Sequence, residues 1–325
     1  MNNVRIIATG SYLPERELSN EELSQIVDTT DEWIKSRTGI SSRRISCGEN
    51  GSTLGAKAAE VALKNCKISP KDIELIIVAT SSPDSFTPSN ACRIQNALGA
   101  SKAVAFDISA ACSGFLFALD TARRFIISGG YSNALVIGTE VLSRLVNWED
   151  RSTCVLFGDG AGAAVLESCE QGGILNTYLG TDGITGMNYI NTGNFEMENL
   201  FIEGKDEKQH IYMDGREVFK FAVSILPYSI EKILGESKLT LEDIKYIVPH
   251  QANLRIVEGA AKRLKLSMDK FYLNIGKHGN TSAASIALAL DEMNRKHLLN
   301  KGDKILLAGF GGGLTWGAAL IQWEI

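Results

Sequence analysis

Residues 103–119 read Ala-Val-Ala-Phe-Asp-Ile-Ser-Ala-Ala-Cys-Ser-Gly-Phe-Leu-Phe-Ala-Leu. The run Val104 to Ile108 has the composition of a largely buried strand, and Phe115, Leu116, Leu119 and Ala122 fall on one face of a helix opening at or near Cys112. A strand that passes directly into a helix is the unit of α/β architecture. The rest of the chain extends the pattern and then repeats it. Asp72-Ile-Glu-Leu-Ile-Ile-Val-Ala precedes this unit, and the strand Asn133-Ala-Leu-Val-Ile-Gly follows it. In the second half, Asp243-Ile-Lys-Tyr-Ile-Val-Pro-His, then Phe271-Tyr-Leu-Asn-Ile-Gly, a helix from about Ser282, and Asp303-Lys-Ile-Leu-Leu-Ala-Gly recur in the same order. Each half closes on a Gly-rich turn, at Phe157-Gly-Asp-Gly-Ala-Gly and at Phe310-Gly-Gly-Gly. The reading is two related halves, 1–172 and 173–325.

Composition narrows the class. The 325 residues are 44% hydrophobic and 22% charged, which suits a folded soluble chain, and the net charge of -5 gives no overall footprint for nucleic acid or anionic lipid. Six cysteines without a C-x-x-C pair or nearby histidines suggest neither a disulfide scaffold nor a metal site, so a reducing cytoplasm is expected. The N-terminus lacks the pattern of a signal peptide. Ile305 to Trp323 is uncharged for 19 residues, but its five glycines predict two strands joined by a turn rather than a membrane span. Gly158-Asp-Gly-Ala-Gly-Ala can be forced onto a dinucleotide fingerprint, yet too few residues follow it for the required helix, and a hairpin is expected instead.

In α/β sheets ligands collect beyond the carboxyl ends of the strands, and a duplicated fold brings two sets of such ends to one crevice. The residues there are Ser109 to Ser113, His250 to Asn253, His278 to Ser282 and Gly309 to Gly313. Cys112 at a helix start is favoured as a thiolate nucleophile by unpaired N–H groups and the helix dipole. A free cysteine is more often a small buried hydrophobe, and Asn280 taken alone reads as a turn or cap residue. His250 follows an apolar strand beside Gln251 and Asn253, where catalysis and plain hydrogen bonding are equally open. Thr30 ahead of Asp31 and Glu32 looks like a capping box opening a short helix, with Trp33 and Arg37 at i and i+4 on one face.

Taken together, Ala110-Ala-Cys-Ser-Gly-Phe, Pro249-His-Gln-Ala-Asn and Gly279-Asn-Thr-Ser-Ala-Ala-Ser resemble the β-ketoacyl-acyl-carrier-protein synthase III family. The likeness covers nearly the whole chain, including Gly10 to Pro14, Asp31 to Ile34, Arg37 to Ile40, Phe157 to Ala163 and Thr315-Trp-Gly. It implies a thiolase-like layered αβαβα fold made of two duplicated halves, usually a homodimer, working in the cytoplasm without a metal or other cofactor. It implies acyl transfer from acyl-CoA, acetyl-CoA by default, to Cys112. Decarboxylative condensation with malonyl-acyl-carrier protein follows, assisted by His250 and Asn280, as the first condensation of fatty acid synthesis. Backbone N–H groups of Cys112 and Gly312 resemble the oxyanion hole. Trp33, Arg37, Arg151, Gly215 and Phe219 resemble the CoA contacts, and Gln251, Ala252, Asn253, Leu254 and Arg255 the carrier-protein contacts, continued by Lys262, Arg263 and Lys265. Thr87 and Phe310 match acyl-pocket positions, and Thr87, often Phe in acetyl-specific members, would admit a longer primer. The stretch 188–209 is read as longer than usual for the family.

The rival readings differ at particular residues. A degradative thiolase needs a second cysteine near the last Gly-rich turn, and none follows Cys169; a synthase with two catalytic histidines needs His where Asn280 stands. A silent partner subunit would not need Cys112. A starter-selecting enzyme of quinolone or polyketide synthesis keeps all three residues and stays open.

Overall fold

The computed structural model describes residues 3–192, 200–201 and 210–325. Two sheets carry the fold. The first contains β1 (Asn3–Tyr12), β2 (Leu75–Ala79), β3 (Val104–Ile108), β4 (Asn133–Glu140) and β5 (Gly160–Cys169), in the order β1-β5-β4-β2-β3. The second contains β6 (Gly173–Thr181), β7 (Tyr246–Pro249), β8 (Lys304–Gly311) and β9 (Thr315–Gln322), in the order β7-β8-β9-β6. In each, two antiparallel pairings follow the first strand, and then a parallel one: β1·β5, β5·β4 and β4·β2 correspond to β6·β9, β9·β8 and β8·β7.

Seven helices of eight residues or more lie among the described residues: α1 (Asp31–Thr38), α2 (Gly51–Cys66), α3 (Asn90–Leu98), α4 (Gly114–Ile127), α5 (Gly215–Ser237), α6 (Leu254–Leu264) and α7 (Ser285–Arg295). Period-two alternation feeds two different cores from each strand. Leu75, Ile77 and Ala79 of β2 join Phe115, Leu119, Ile286 and Leu290 of α4 and α7 between the sheets, whereas Ile76 and Val78 face Leu54, Ala58 and Ile94 of α2 and α3. On the second sheet Ile305 and Leu307 point to the central layer, and Leu306 and Ala308 meet α5 and α6. The result is five layers, α2/α3, sheet, α4/α7, sheet, α5/α6.

Three expectations need correction. Gly158 to Ala163 is no hairpin: β5 runs from Gly160 between β1 and β4, and the turn after Cys169 crosses into the other sheet. Its glycines permit close helix contact, since a Cβ at Gly162 would stand 2.6 Å from the Ala287 backbone and one at Gly138 on the neighbouring strand 2.2 Å from the Ala283 carbonyl oxygen. Second, Phe271-Tyr-Leu-Asn-Ile-Gly is not the counterpart strand to β3; it makes only an isolated bridge, Ile247 to Phe271. The Gln251 side chain takes the backbone groups a ladder would use, donating to Tyr272 O at 3.1 Å and accepting from Asn274 N and Ile275 N at 3.2 Å. Third, Thr30 caps α1 by accepting from Trp33 N, without a returning acidic side chain. Ile305 to Trp323 does form two strands and a turn, and no helix among the described residues is long and apolar enough to cross a membrane.

Candidate active site

β3 ends at Ile108, and the chain enters α4 through a one-turn 3-10 helix, Ala111–Ser113, that carries Cys112. Ala111 takes φ +46 to make this sharp passage, and Ser282 takes φ +46 at the matching passage into α7. For residues with a Cβ this is an uncommon conformation, and its recurrence at both sites marks two equivalent elbows. The Thr315 hydroxyl donates to Ala110 O at 2.9 Å, tying the β8–β9 turn to the cysteine elbow. A Cβ on Gly311 would stand 2.6 Å from Cys112 N, so glycine there lets the two backbones meet.

His250 follows β7, held by its N–H donating to Ala308 O at 2.8 Å. It is 2% exposed, and its ring meets that of Phe310 edge to face, centroids 5.6 Å apart. Its Nδ1 is buried without a hydrogen-bond partner among the described residues, and the side chain lines the cavity. Asn280 N donates to Leu156 O at 2.8 Å, and Asn280 O accepts from Gly158 N at 3.0 Å. Its side-chain Oδ1 accepts from Ser282 N at 2.8 Å, which turns the amide NH2 away from its own loop as a free donor.

All three side chains line one cavity of about 380 Å³ that runs outward to Trp33 and Arg37. Gly215, Phe219, Ala252, Asn253, Phe310 and Gly311 line it too, together with Ser152, Val155, Leu156, Met213 and Ile256, which sequence reasoning missed because they come from separate loops and helices with no shared pattern. Arg151 caps the outer end, its Cζ 5.2 Å from the Trp33 ring centroid, and donates to Asp28 O at 2.9 Å. That spacing leaves no room for a flat base between them, which would need about 7 Å from two contacts of roughly 3.5 Å, so a nucleotide must move Arg151. Gly312 is buried in the turn beyond Gly311 but does not line the cavity.

Burial sets the protonation of the site. Cys112 is open only towards the cavity, and because a narrow apolar cavity screens poorly its thiol titrates as an enclosed one. Desolvation pushes it up to about 12, opposed by the polar Ser282 side chain nearby and further raised by the Glu140 charge. The helix-end thiolate expected from sequence is therefore corrected: desolvation outweighs the helix terminus, and Cys112 rests as a thiol. The same burial lowers His250 to about 3, so the imidazole is neutral.

Two sequence expectations do not match their positions. Gln251 is 1% exposed, with its amide spent on backbone groups, so it is a scaffold residue rather than a surface contact; Leu254 and Arg255 begin α6, whose Arg255, Lys262 and Arg263 are exposed. Thr87 is exposed and does not line the cavity of its own chain, whereas Phe310 does. Within 188–209, residues 193–199 and 202–209 lie outside the described residues; Ile190, just before them, lines the cavity. Among the described residues no group of three or more His, Cys, Asp or Glu side chains could hold a metal ion.

The layered sheets define a thiolase-like fold, and comparison with known proteins shows the class to be that of the condensing enzymes. Residues 106–183 match the family described as 3-oxoacyl-[acyl-carrier-protein] synthase III, and residues 234–323 match its C-terminal family. The chain is similar to the beta-ketoacyl-[acyl-carrier-protein] synthase III of Clostridium acetobutylicum, 56% identical over 99% of each chain, and to that of Clostridium novyi, 54% identical over 100% of each. The solved 3-oxoacyl-[acyl-carrier-protein] synthase III of Aquifex aeolicus superposes with a TM-score of 0.91 at 45% identity, covering 98% of this chain and 100% of that one. The chain belongs to the 3-oxoacyl-[acyl-carrier-protein] synthase III family.

Proposed function

We propose that the protein starts fatty acid synthesis by transferring an acyl group from acyl-CoA, acetyl-CoA by default, to Cys112 and condensing it with malonyl-acyl-carrier protein. The observation that carries this reading is the meeting of Cys112, His250 and the free amide donor of Asn280 on one apolar cavity reaching to Trp33 and Arg37. Thioester attack by Cys112 makes an oxyanion, which the backbone N–H of Cys112 would stabilise, joined, as the family resemblance implies, by that of Gly312 next to the cavity-lining Gly311. CoA leaves and the carrier-bound malonyl group enters. Loss of CO2 leaves an enolate, and a neutral imidazole and an amide suit it because they donate hydrogen bonds without protonating the carbon. The enolate carbon attacks the acyl-enzyme, giving a β-ketoacyl-carrier thioester and freeing Cys112.

Trp33 and Arg151 are read as the adenine contacts, with Arg37, Gly215 and Phe219 along the pantetheine arm. Exposed Arg255, Lys262, Arg263 and Lys265, with Ala252, Asn253 and Leu254 beside the cavity mouth, form a basic face suited to an acidic carrier. No cofactor enters this chemistry, and the cytoplasm is its expected site. Two duplicated units, 1–172 and 173–325, are proposed from the matching sheet orders and elbows.

A homodimer is part of the reading. β3 is an edge strand, with Val104 49% exposed, and an open edge invites a second copy. The loop of Thr87 is anchored beside it, since Asn90 N and Ala91 N donate to Asp107 of β3 at 2.8 and 2.7 Å. Thr87 thus borders an acyl pocket only by reaching that of a second copy.

A starter-unit enzyme of polyketide synthesis is the second reading. The priming β-ketosynthase of the R1128 polyketide pathway superposes with a TM-score of 0.91 at 37% identity, covering 99% of this chain and 96% of that one. The deciding experiment is intact-mass analysis after incubation with acyl-CoAs from acetyl to long and branched chains, followed by malonyl-acyl-carrier protein. An acetyl adduct on Cys112 that becomes acetoacetyl-carrier protein supports the first reading. A preference for another primer moves it to the second, and no adduct with any acyl-CoA rejects both.

A further inference from the structure

Arg43 is 0% exposed, a complete guanidinium inside the protein. Among the described residues its hydrogen bonds go only to neutral oxygens. Nη1 donates to Asn20 Oδ1 at 2.8 Å and to Leu18 O at 3.3 Å, and Nη2 donates to Val155 O at 2.7 Å. Its Nε is buried with no partner among the described residues. Taking a cation out of water without an anion beside it is costly, so these few bonds carry the placement of the side chain.

The bonds lead to two different parts of the cavity. Asn20, also 0% exposed, turns its amide NH2 away from Arg43 and donates to Asp31 Oδ1 at 2.9 Å and to Ile40 O at 2.8 Å. Those two residues bracket α1, which brings Trp33 and Arg37 to the outer end of the cavity. Val155 belongs to the cavity wall, and the next residues hold Asn280, with Leu156 O accepting from Asn280 N and Gly158 N donating to Asn280 O. The stem of Arg43 packs under this link: a Cβ added at Gly158 or at Gly279 would stand 3.2 Å from Arg43 Cβ in each case. The backbone adds a further tie, Asp159 N donating to Arg44 O at 2.8 Å. Arg43 itself does not line the cavity.

We propose that Arg43 is a positioning residue that holds α1, through Asn20, and the Asn280 segment, through Val155, in one rigid frame. The frame fixes the distance between the outer contacts of the acyl donor and the amide that receives the enolate. Because the two arms leave from different nitrogens of one planar group, each can be cut separately.

The inference rests on the roles proposed for α1 and Asn280, and the test separates the two. KM for acetyl-CoA in Cys112 acylation and the rate of CO2 release from malonyl-carrier thioester are compared in wild type, Arg43→Met, Arg43→Lys, Asn20→Asp and Asn280→Ala, with thermal unfolding alongside. Replacing a buried charge by an apolar side chain of similar length is often neutral or stabilising, so Arg43→Met is expected to fold. Displacement of a reacting group by about 1 Å costs on the order of 10²-fold in rate, so CO2 release should fall roughly 10- to 10²-fold in Arg43→Met. KM should rise in the same variant, and Arg43→Lys should recover part of both. Asn20→Asp keeps the acceptor for Arg43 but loses the donor to Asp31 and Ile40, so it should raise KM and leave CO2 release near wild type. Combined with Asn280→Ala, Arg43→Met should slow CO2 release no further, because it acts through that amide.

Wild-type KM and CO2 release in folded Arg43→Met overturn the frame, as does a further fall in CO2 release on adding Arg43→Met to Asn280→Ala, which marks general support of the fold. If Arg43→Met does not fold, Asn20→Asp decides, and an unchanged KM there overturns the frame. CO2 release at the wild-type rate in Asn280→Ala sinks the enolate reading and the inference with it.

Discussion

Gly311→Ala places one methyl group against Cys112, the proposed nucleophile. The new Cβ would lie 2.6 Å from Cys112 N, 3.0 Å from Cys112 Cβ and 3.2 Å from Ala111 Cβ, where ordinary contact begins at 3.4 Å. Backbone faces backbone, so rotating a side chain cannot relieve it, and the cysteine elbow or β8 must retreat by about 0.8 Å. Thr315, bonded to Ala110 O, resists a shift of the turn and directs part of the strain into the elbow. Displacement of a reacting group by about 1 Å costs on the order of 10²-fold in rate, and overpacking a filled site costs roughly 1–3 kcal/mol of stability. Stopped single-turnover acylation read by intact mass, with thermal unfolding alongside, measures both. Gly309→Ala is the comparison: its Cβ meets Leu116 Cδ1 at 3.3 Å and Ile286 Cδ1 at 3.4 Å, the ends of movable side chains, so its loss should be much smaller. Acylation by Gly311→Ala within about threefold of wild type would refute the geometric argument, because a shift of that size cannot leave a near-attack geometry intact.

Asn280→Ala removes one enolate donor and should slow CO2 release from malonyl-carrier thioester by about 10²–10³-fold, while Cys112 still acylates; CO2 release near the wild-type rate would exclude Asn280 from this role. His250, lowered to about 3, should show no protonation in imidazole NMR between pH 8 and 5. Because the unfolded chain takes up that proton first, at about 6.5, stability falls as pH drops from about 6.5 towards 3, and His250→Gln should flatten this slope in the melting temperature. A midpoint near 6.5 in the folded protein would contradict the neutral-donor assignment. Gly138→Ala sets its Cβ 2.2 Å from Ala283 O and should destabilise by at least the roughly 1–3 kcal/mol of overpacking; unchanged melting would show that β4 and the Ser282 elbow are not rigidly packed.

Much of the site was legible before folding. Cys112 and His250 follow strand ends, a pattern readable locally, whereas Asn280 alone reads as a turn or cap residue and joins them only through the family resemblance. Gln251 shows where that reading stops: the family resemblance puts it among the carrier-protein contacts, but it is buried, its amide bonded to the backbone of Pro249, Tyr272, Asn274 and Ile275. The burial of Glu140 was not legible either, although this acidic side chain closes the apolar run Ala134-Leu-Val-Ile-Gly-Thr. A charge at a strand end reads equally well as a solvated one.

Periodicity and turn residues are properties of neighbouring residues, so the sequence by itself determined the alternating α/β elements and the last two strands, and its family motifs nominated the three side chains that line one cavity. Distances between remote segments and the dielectric around them depend on how the layers pack. Only the tertiary structure decided that burial would outweigh the helix end at Cys112, that His250 would rest neutral, and that Thr87 would lie exposed and off its own cavity.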